Sequence, residues 1–167
     1  QNRLFAVFNL TEVDPSQETN RNTLRQLFLD AAQFIDKDLD ALIPLGSAIR
    51  LVKGAYLEPA SVAFPRKTDV DENFFTLASR LLRADNTKPG ALVHIGTHDL
   101  DLQERLMQVI KDGKVEASRY EVAMLYGIQS SRQQELARTN IRTRCLISYG
   151  EYWFPWYDNL TMQTWLL

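Results

Sequence analysis

The chain has 167 residues, 45% of them hydrophobic and 24% charged, with a formal net charge of -2. That length fits one globular domain, and the charge gives no electrostatic reason to expect nucleic acid or an anionic membrane as partner. A single cysteine, Cys145, excludes an intramolecular disulfide, and no stretch reaches the ~20 apolar residues of a membrane span. Only a short apolar run follows Gln1-Asn2-Arg3, so no signal peptide is expected, and a chain opening on glutamine leads us to expect sequence upstream of it.

Residues 3–10 (RLFAVFNL) are a compact apolar and aromatic run, read as a first strand. Asp14-Pro15-Ser16 marks a turn. Residues 21–35 carry helical spacing: Leu24, Leu27, Phe28, Ala31, Phe34 and Ile35 fall on one face, with Arg21, Arg25 and Asp30 off it. Residues 37–45 read as a short helix stopped by Pro44 and Gly46.

From Ala48 the rhythm is regular. Strands are expected over 48–56, 91–96, 120–126 and 143–148, and helices over 70–84, 101–112 and 130–138. Phe74, Phe75, Leu77, Ala78, Leu81 and Leu82 make the apolar stripe of the first of these helices. Strands alternating with helices through short connections predict a parallel sheet with helices outside it. A full (β/α)8 barrel usually takes about 250 residues. With five strands in sight, an open sheet and part of a barrel are both open at this point.

Each regular strand ends in a polar or aromatic cluster: Lys53-Gly54-Ala55-Tyr56, Thr97-His98-Asp99, Tyr126-Gly127 and Tyr149-Gly150. Parallel strands bring such clusters to one edge, where ligands bind in these folds. The plainer alternative is that loops are polar everywhere. The strand at 48–56 also carries two cations. Alternation sets Arg50, Val52, Gly54 and Tyr56 on one face, and Ile49, Leu51, Lys53 and Ala55 on the other. Arg50 lies deeper, and an unpaired buried guanidinium is costly, so it is the stronger functional candidate. The alternative for Arg50 is a structural ion pair with Glu121. His98 suits a cofactor or acid–base role because histidine titrates near neutrality. Its alternative is a hydrogen-bonding loop residue. His94, His98 and Cys145 make no zinc-type spacing, so no metal is expected. Neither G-x-G-x-x-G nor a P-loop occurs. The aromatic run at 152–157 (YWFPWY) suits either the wall of a flat ligand or a core.

Together these stretches resemble the proline dehydrogenase domain family, a flavin-dependent (β/α)8 barrel. The resemblance rests on RLVKGAYLEP at 50–59, FPRKTDVD at 64–71, GTHD at 96–99, EVAMLYGI at 121–128 and YGEYWFPW at 149–156, in the family's order and spacing. It covers residues 40–157 and implies an α/β fold, a partial or shortened (β/α)8 TIM-type barrel with parallel strands and helices outside, as a single β/α domain over 1–167. The implied cofactor is FAD. By the same resemblance Arg50 sits by the flavin's reactive nitrogen, where positive charge stabilises the reduced, anionic isoalloxazine. Lys53, Gly54 and Ala55 match the segment lying along FAD, and Thr97 and His98 match a flavin-contacting pair. Tyr56, Leu125 and Trp156 match the proline side of the site. The implied reaction takes a hydride equivalent from the ring carbon beside the nitrogen of L-proline, giving the cyclic imine pyrroline-5-carboxylate. Electrons pass to a quinone-type acceptor, in proline catabolism. A cytoplasmic location is implied, with peripheral attachment to the inner membrane as an alternative.

The chain departs from the family pattern at the substrate end. An arginine pair that clamps the substrate carboxylate would fall on Asn159 and Leu160. A family tyrosine falls on Leu146, a glutamine on Ala123 and a lysine on Asn9. The family's second, third and fourth strands find no counterpart. Two other functions therefore stand beside the first. One is a non-catalytic homologue that still binds a flavin or small ligand. The other is an aldolase-like barrel using Lys53 as a Schiff-base lysine. Unpaired strand edges favour association, and a homo-oligomer that completes the barrel is one expected outcome.

Overall fold

A computed structural model describes residues 26–30, 36, 39–53, 60–61, 63–84 and 91–147. The elements run from β1 (Gln26–Asp30) through α1 (Leu39–Leu42) and a 3-10 turn (Ile43–Leu45) to β2 (Ala48–Val52). Next come α2 (Lys67–Arg83), β3 (Leu92–Gly96) and α3 (Leu100–Asp112). A 3-10 turn (Ala117–Arg119) leads into β4 (Tyr120–Leu125), followed by α4 (Ser130–Arg138) and β5 (Thr143–Leu146).

The strands form one five-stranded parallel sheet in the order β1-β2-β3-β4-β5. Spatial order thus follows chain order without a reversal. Right-handed crossovers in such a sheet carry every helix to the same face. The packing agrees. Ile49 and Leu51 of β2 and Val93 and Ile95 of β3 share one buried cluster with Phe74 and Leu77 of α2 and Leu102 and Leu106 of α3. Val122 and Met124 of β4 pack with Leu136 of α4. The register Leu51 to Ile95 to Val122 puts these strand residues on one face. A doubly wound sheet would reverse its strand order and cover both faces. This sheet is an arc of a (β/α)8 barrel, with the helices outside.

The stripe expected on α2 is the buried side of that helix: Phe74, Leu77, Ala78, Leu81 and Leu82 all lie in the core. Phe75 sits at its margin, with the Arg105 guanidinium 4.0 Å from the ring centroid. Arg105 also forks onto Glu72, at 2.9 and 3.2 Å. These contacts tie α3 to α2 on the outer surface.

Two expectations change. The helix expected over 21–35 gives way to strand β1 at Gln26–Asp30, paired in parallel with Ala48–Val52. A short apolar run such as Leu27-Phe28-Leu29 satisfies strand and helical spacing equally well. Pairing with β2, far along the chain, decides between them. The strands expected over 48–56, 120–126 and 143–148 are also shorter, ending at Val52, Leu125 and Leu146. The strand expected at 3–10 lies outside the described residues. So do Gly54, Ala55, Tyr56, Asn159, Leu160 and Trp156.

Candidate functional site

The sheet has one face packed on helices and one face turned inward. Alternation places Arg50 of β2, His94 of β3 and Glu121 of β4 on the inward face, directly beside one another in register. A row of ionisable side chains across the middle of a parallel sheet is unusual, because desolvated charge must be paired to be tolerated. Here one carboxylate serves several cations. Glu121 is buried, with His94 Nδ1 against its Oε1. Arg144 of β5 binds both its oxygens, through Nε to Oε1 and through Nη2 to Oε2, the latter at 3.3 Å. Arg142 Nη2 stands 3.8 Å from Oε2. Burial alone would raise the Glu121 pKa, but the hydrogen bonds and charges of His94 and Arg144 outweigh it and hold the group at about 2.

Arg50 is left without that carboxylate as a direct partner. Its Nε is buried and finds no hydrogen-bond acceptor among the described residues. Burial, and then repulsion from Arg144, push its pKa down, while Glu121 pulls it up. An arginine nonetheless stays charged in a protein. The structural ion pair considered for Arg50 and Glu121 is therefore taken by Arg144 and His94 instead. Arg50 faces inward as a cation with donor capacity to spare.

Lys53 follows β2 and turns the other way, as alternation requires. Its ammonium bridges Asp71 of α2 at 2.8 Å and Asp99 at 2.7 Å. Lys67 joins the same pair, 2.6 Å from Asp71 and 3.6 Å from Asp99. Nζ of Lys53 is thus committed to two carboxylates on the helix side. A Schiff-base lysine needs a free amine facing the ligand, so the aldolase-like alternative loses its nucleophile.

Thr97, His98 and Asp99 form the three-residue link from β3 to α3. Asp99 caps α3 by accepting the Leu102 amide at 3.2 Å, and the Asp99 amide donates to Thr97 Oγ1 at 3.1 Å. Half-buried His98 reaches across to β4, where its Nε2 accepts the Leu125 amide at 2.9 Å. Burial lowers its pKa, which favours the neutral ring that this acceptor role needs. His98 and Leu125 are thereby fixed to each other at the carboxyl edge of the sheet. Gly96, just before this link, lets β2 and β3 come close. A Cβ there would lie 2.9 Å from both the Leu51 carbonyl oxygen and Val52 Cγ1.

Of the expected site residues, Arg50, Thr97, His98 and Leu125 gather on the inward face and carboxyl edge, while Lys53 ties the adjacent loop to the helices. Gln103 and Gln133 were missed. Gln103 is fully buried on α3 and donates to the Thr97 carbonyl at 2.8 Å. Gln133 of α4 donates to the carbonyls of Leu125 at 2.8 Å and Ile128 at 2.9 Å, and its Oε1 lies 2.9 Å from Cys145 Sγ. The spacing of Gln103 with Leu106 and Ile110 along the apolar stripe of α3 was a usable signal. No metal-holding cluster of three or more His, Cys, Asp or Glu occurs among the described residues. No helix among them is long and apolar enough to cross a membrane.

The family profile described as proline dehydrogenase matches residues 44–153. Proline dehydrogenase 1 of Bacillus subtilis strain 168 is 37% identical over 121 residues, covering 72% of this chain and 38% of that protein. Proline dehydrogenase of Deinococcus radiodurans is 35% identical over 127 residues, covering 76% of this chain and 39% of that protein. The chain thus spans about two-fifths of the length of these curated relatives. Among solved structures, proline utilization A from Bdellovibrio bacteriovorus, inactivated by N-propargylglycine, superposes with a TM-score of 0.69 at 19% identity. That match covers 82% of this chain and 16% of the other, and it carries the fold alone. On the matched profile and the identity to these relatives, this chain belongs to the proline dehydrogenase family.

Proposed function

We propose that this chain supplies the cofactor side of an FAD-dependent proline dehydrogenase. The reaction would oxidise L-proline to the cyclic imine pyrroline-5-carboxylate and pass electrons to a quinone-type acceptor. The observation that carries this proposal is Arg50, an inward cation with a buried Nε that has no acceptor among the described residues. Such an orphaned donor is costly unless a ligand completes it. A ring system that gains negative charge on reduction fits that donor set.

When bound, FAD would accept the hydride equivalent from the ring carbon beside the proline nitrogen. The chain's own part is electrostatic and steric. Arg50 would favour negative charge developing on the inward face, and it is fixed there by the strand rather than by a loop. The Glu121 ion-pair cluster limits how much net positive charge surrounds it. Thr97 and His98 would border the cofactor from the β3 edge, and Leu125, held by His98, would border the substrate. Gly54, Ala55, Tyr56 and Trp156 complete the assignment by resemblance.

A second reading has one observation in its favour. Ala123 and Leu146 replace a family glutamine and tyrosine, and each belongs to the β4–β5 pairing beside the site. A homologue that binds a flavin without oxidising proline is consistent with that loss of polar groups.

The visible absorbance spectrum, with and without added FAD, tests the cofactor assignment. Uptake of flavin with its absorbance bands is expected, and a colourless protein after incubation with FAD would overturn the assignment. Proline-dependent reduction of a dye acceptor then separates the two readings. Turnover above background supports the dehydrogenase, and flavin uptake without turnover supports the binding homologue.

A further inference from the structure

We propose that Gln103, held in orientation by Arg132, is a positioning residue that sets the Thr97–His98 link and through it the affinity of the site for flavin. The proposal rests on the cofactor assignment above and deepens it.

Gln103 is 0% exposed, in the middle of an otherwise apolar helix face. A leucine or methionine would fill that volume without polar atoms to satisfy. The amide is kept and every group of it is used. Nε2 donates to the Thr97 carbonyl at 2.8 Å and approaches Met124 Sδ at 3.8 Å. Oε1 accepts from Arg132 Nε at 3.0 Å. Arg132 is itself steadied by Glu135, with Nη1 3.0 Å from Oε2.

Direction follows from chemistry. Arginine has no acceptor, so it fixes which end of the amide is oxygen. The NH2 end must then face Thr97. In this way α4 decides the orientation of a side chain on α3, which holds the backbone leaving β3. Buried, fully satisfied networks of this kind select one geometry rather than add much stability. The geometry selected is that of Thr97, His98 and, through the His98 bond, Leu125.

The test compares the full chain with Gln103→Leu, Arg132→Leu and Arg132→Lys. The readouts are FAD affinity by fluorescence quenching and amide hydrogen exchange of the flavin-free protein. The net worth of one typical hydrogen bond corresponds to about tenfold in an equilibrium constant. Gln103→Leu and Arg132→Leu are expected to weaken FAD binding by up to about tenfold and to speed exchange at Asp99 and Leu125 by a similar factor. Leu106 and Val93 should keep their protection. Arg132→Lys, which retains a donor, is expected to restore both readouts. Unchanged exchange at Asp99 and Leu125 in Gln103→Leu overturns the proposal, as does faster exchange throughout α3 and β3, which would mark a purely structural role. Unchanged FAD affinity with faster local exchange overturns the link to flavin. If the parent chain takes up no flavin, the cofactor assignment fails, and the exchange comparison still decides whether Gln103 positions the link.

Discussion

Arg144 reaches diagonally from β5 to grasp both carboxylate oxygens of Glu121 on β4, although the residue directly opposite it in register is Ala123. The diagonal leaves Arg50, two strands away, as the cation of the inward row without this carboxylate in its grasp. The same cluster makes stability depend on pH in the acid range.

Glu121 is held at about 2 in the folded chain, below its ordinary 4.5. A depressed carboxylate pKa contributes stability that is present above the unfolded value and lost as pH falls through the folded one. The folded chain should therefore lose stability between pH 4.5 and about 2, in part through this group. Glu121→Gln should cost about 1–3 kcal/mol at neutral pH, moderated because Arg144 is half exposed and can be rehydrated. It should also flatten the acid slope. Urea unfolding across that pH range checks both, and a variant as acid-sensitive as the parent would rule out the assignment.

His98 gives a second titration with a different partner. Its pKa is lowered by burial from 6.5, and its Nε2 must stay unprotonated to accept the Leu125 amide. Protonation would turn that acceptor into a donor facing a donor. As pH falls below the unfolded value near 6.5, the unfolded chain takes up the proton first, so stability declines until the lower folded value is passed. NMR should show the His98 ring titrating below 6.5, with the Leu125 amide shift following the same curve. A ring titrating above 6.5, or a Leu125 amide that ignores it, would contradict the bond.

Much of this arrangement was legible before any fold was known. The stripe of α2 is a helix of ordinary amphipathic period, and alternation alone separated Arg50 from Lys53. What sequence could not show were the partners, because those depend on register between strands distant in the chain. An ion pair with Glu121 is the alternative the sequence offers for Arg50, yet Arg144 and His94 claim that carboxylate. Residues 26–30 were read as helix because an apolar run is ambiguous until its pairing with β2 is known. Gln103 was overlooked for a simpler reason: its neighbours made the helix face look apolar, and the exception on that face was the informative residue.

Gly96 tests how tightly β2 and β3 must approach. A methyl group there meets the Leu51 carbonyl oxygen and Val52 Cγ1, each at 2.9 Å. The side chain can yield, but the carbonyl belongs to the parallel ladder. Gly96→Ala should therefore destabilise by about 1–3 kcal/mol through strain. Adding Val52→Ala should recover only part of the loss, since the backbone clash persists. Chemical denaturation of the single and double variants measures this, and full recovery in the double would place the clash on the side chain alone.

For Lys53, a chemical role and a structural duty predict opposite results. Its ammonium sits between Asp71 and Asp99, with 13% of the side chain exposed, and Lys67 is the other cation on that pair. Burial alone would raise the Asp99 pKa, but Lys53, the Leu102 amide and Lys67 together hold it below the ordinary value. Lys53→Met should therefore destabilise by about 1–3 kcal/mol, less than a fully buried pair because Lys67 remains and water reaches the cluster. The Asp99 pKa should rise, so the variant should lose stability at a higher pH than the parent as acid is added. Borohydride trapping with carbonyl compounds should leave Lys53 unmodified in the parent chain. Trapping at Lys53, together with a variant as stable as the parent, would show that Nζ is free and that its two carboxylate contacts do not hold it.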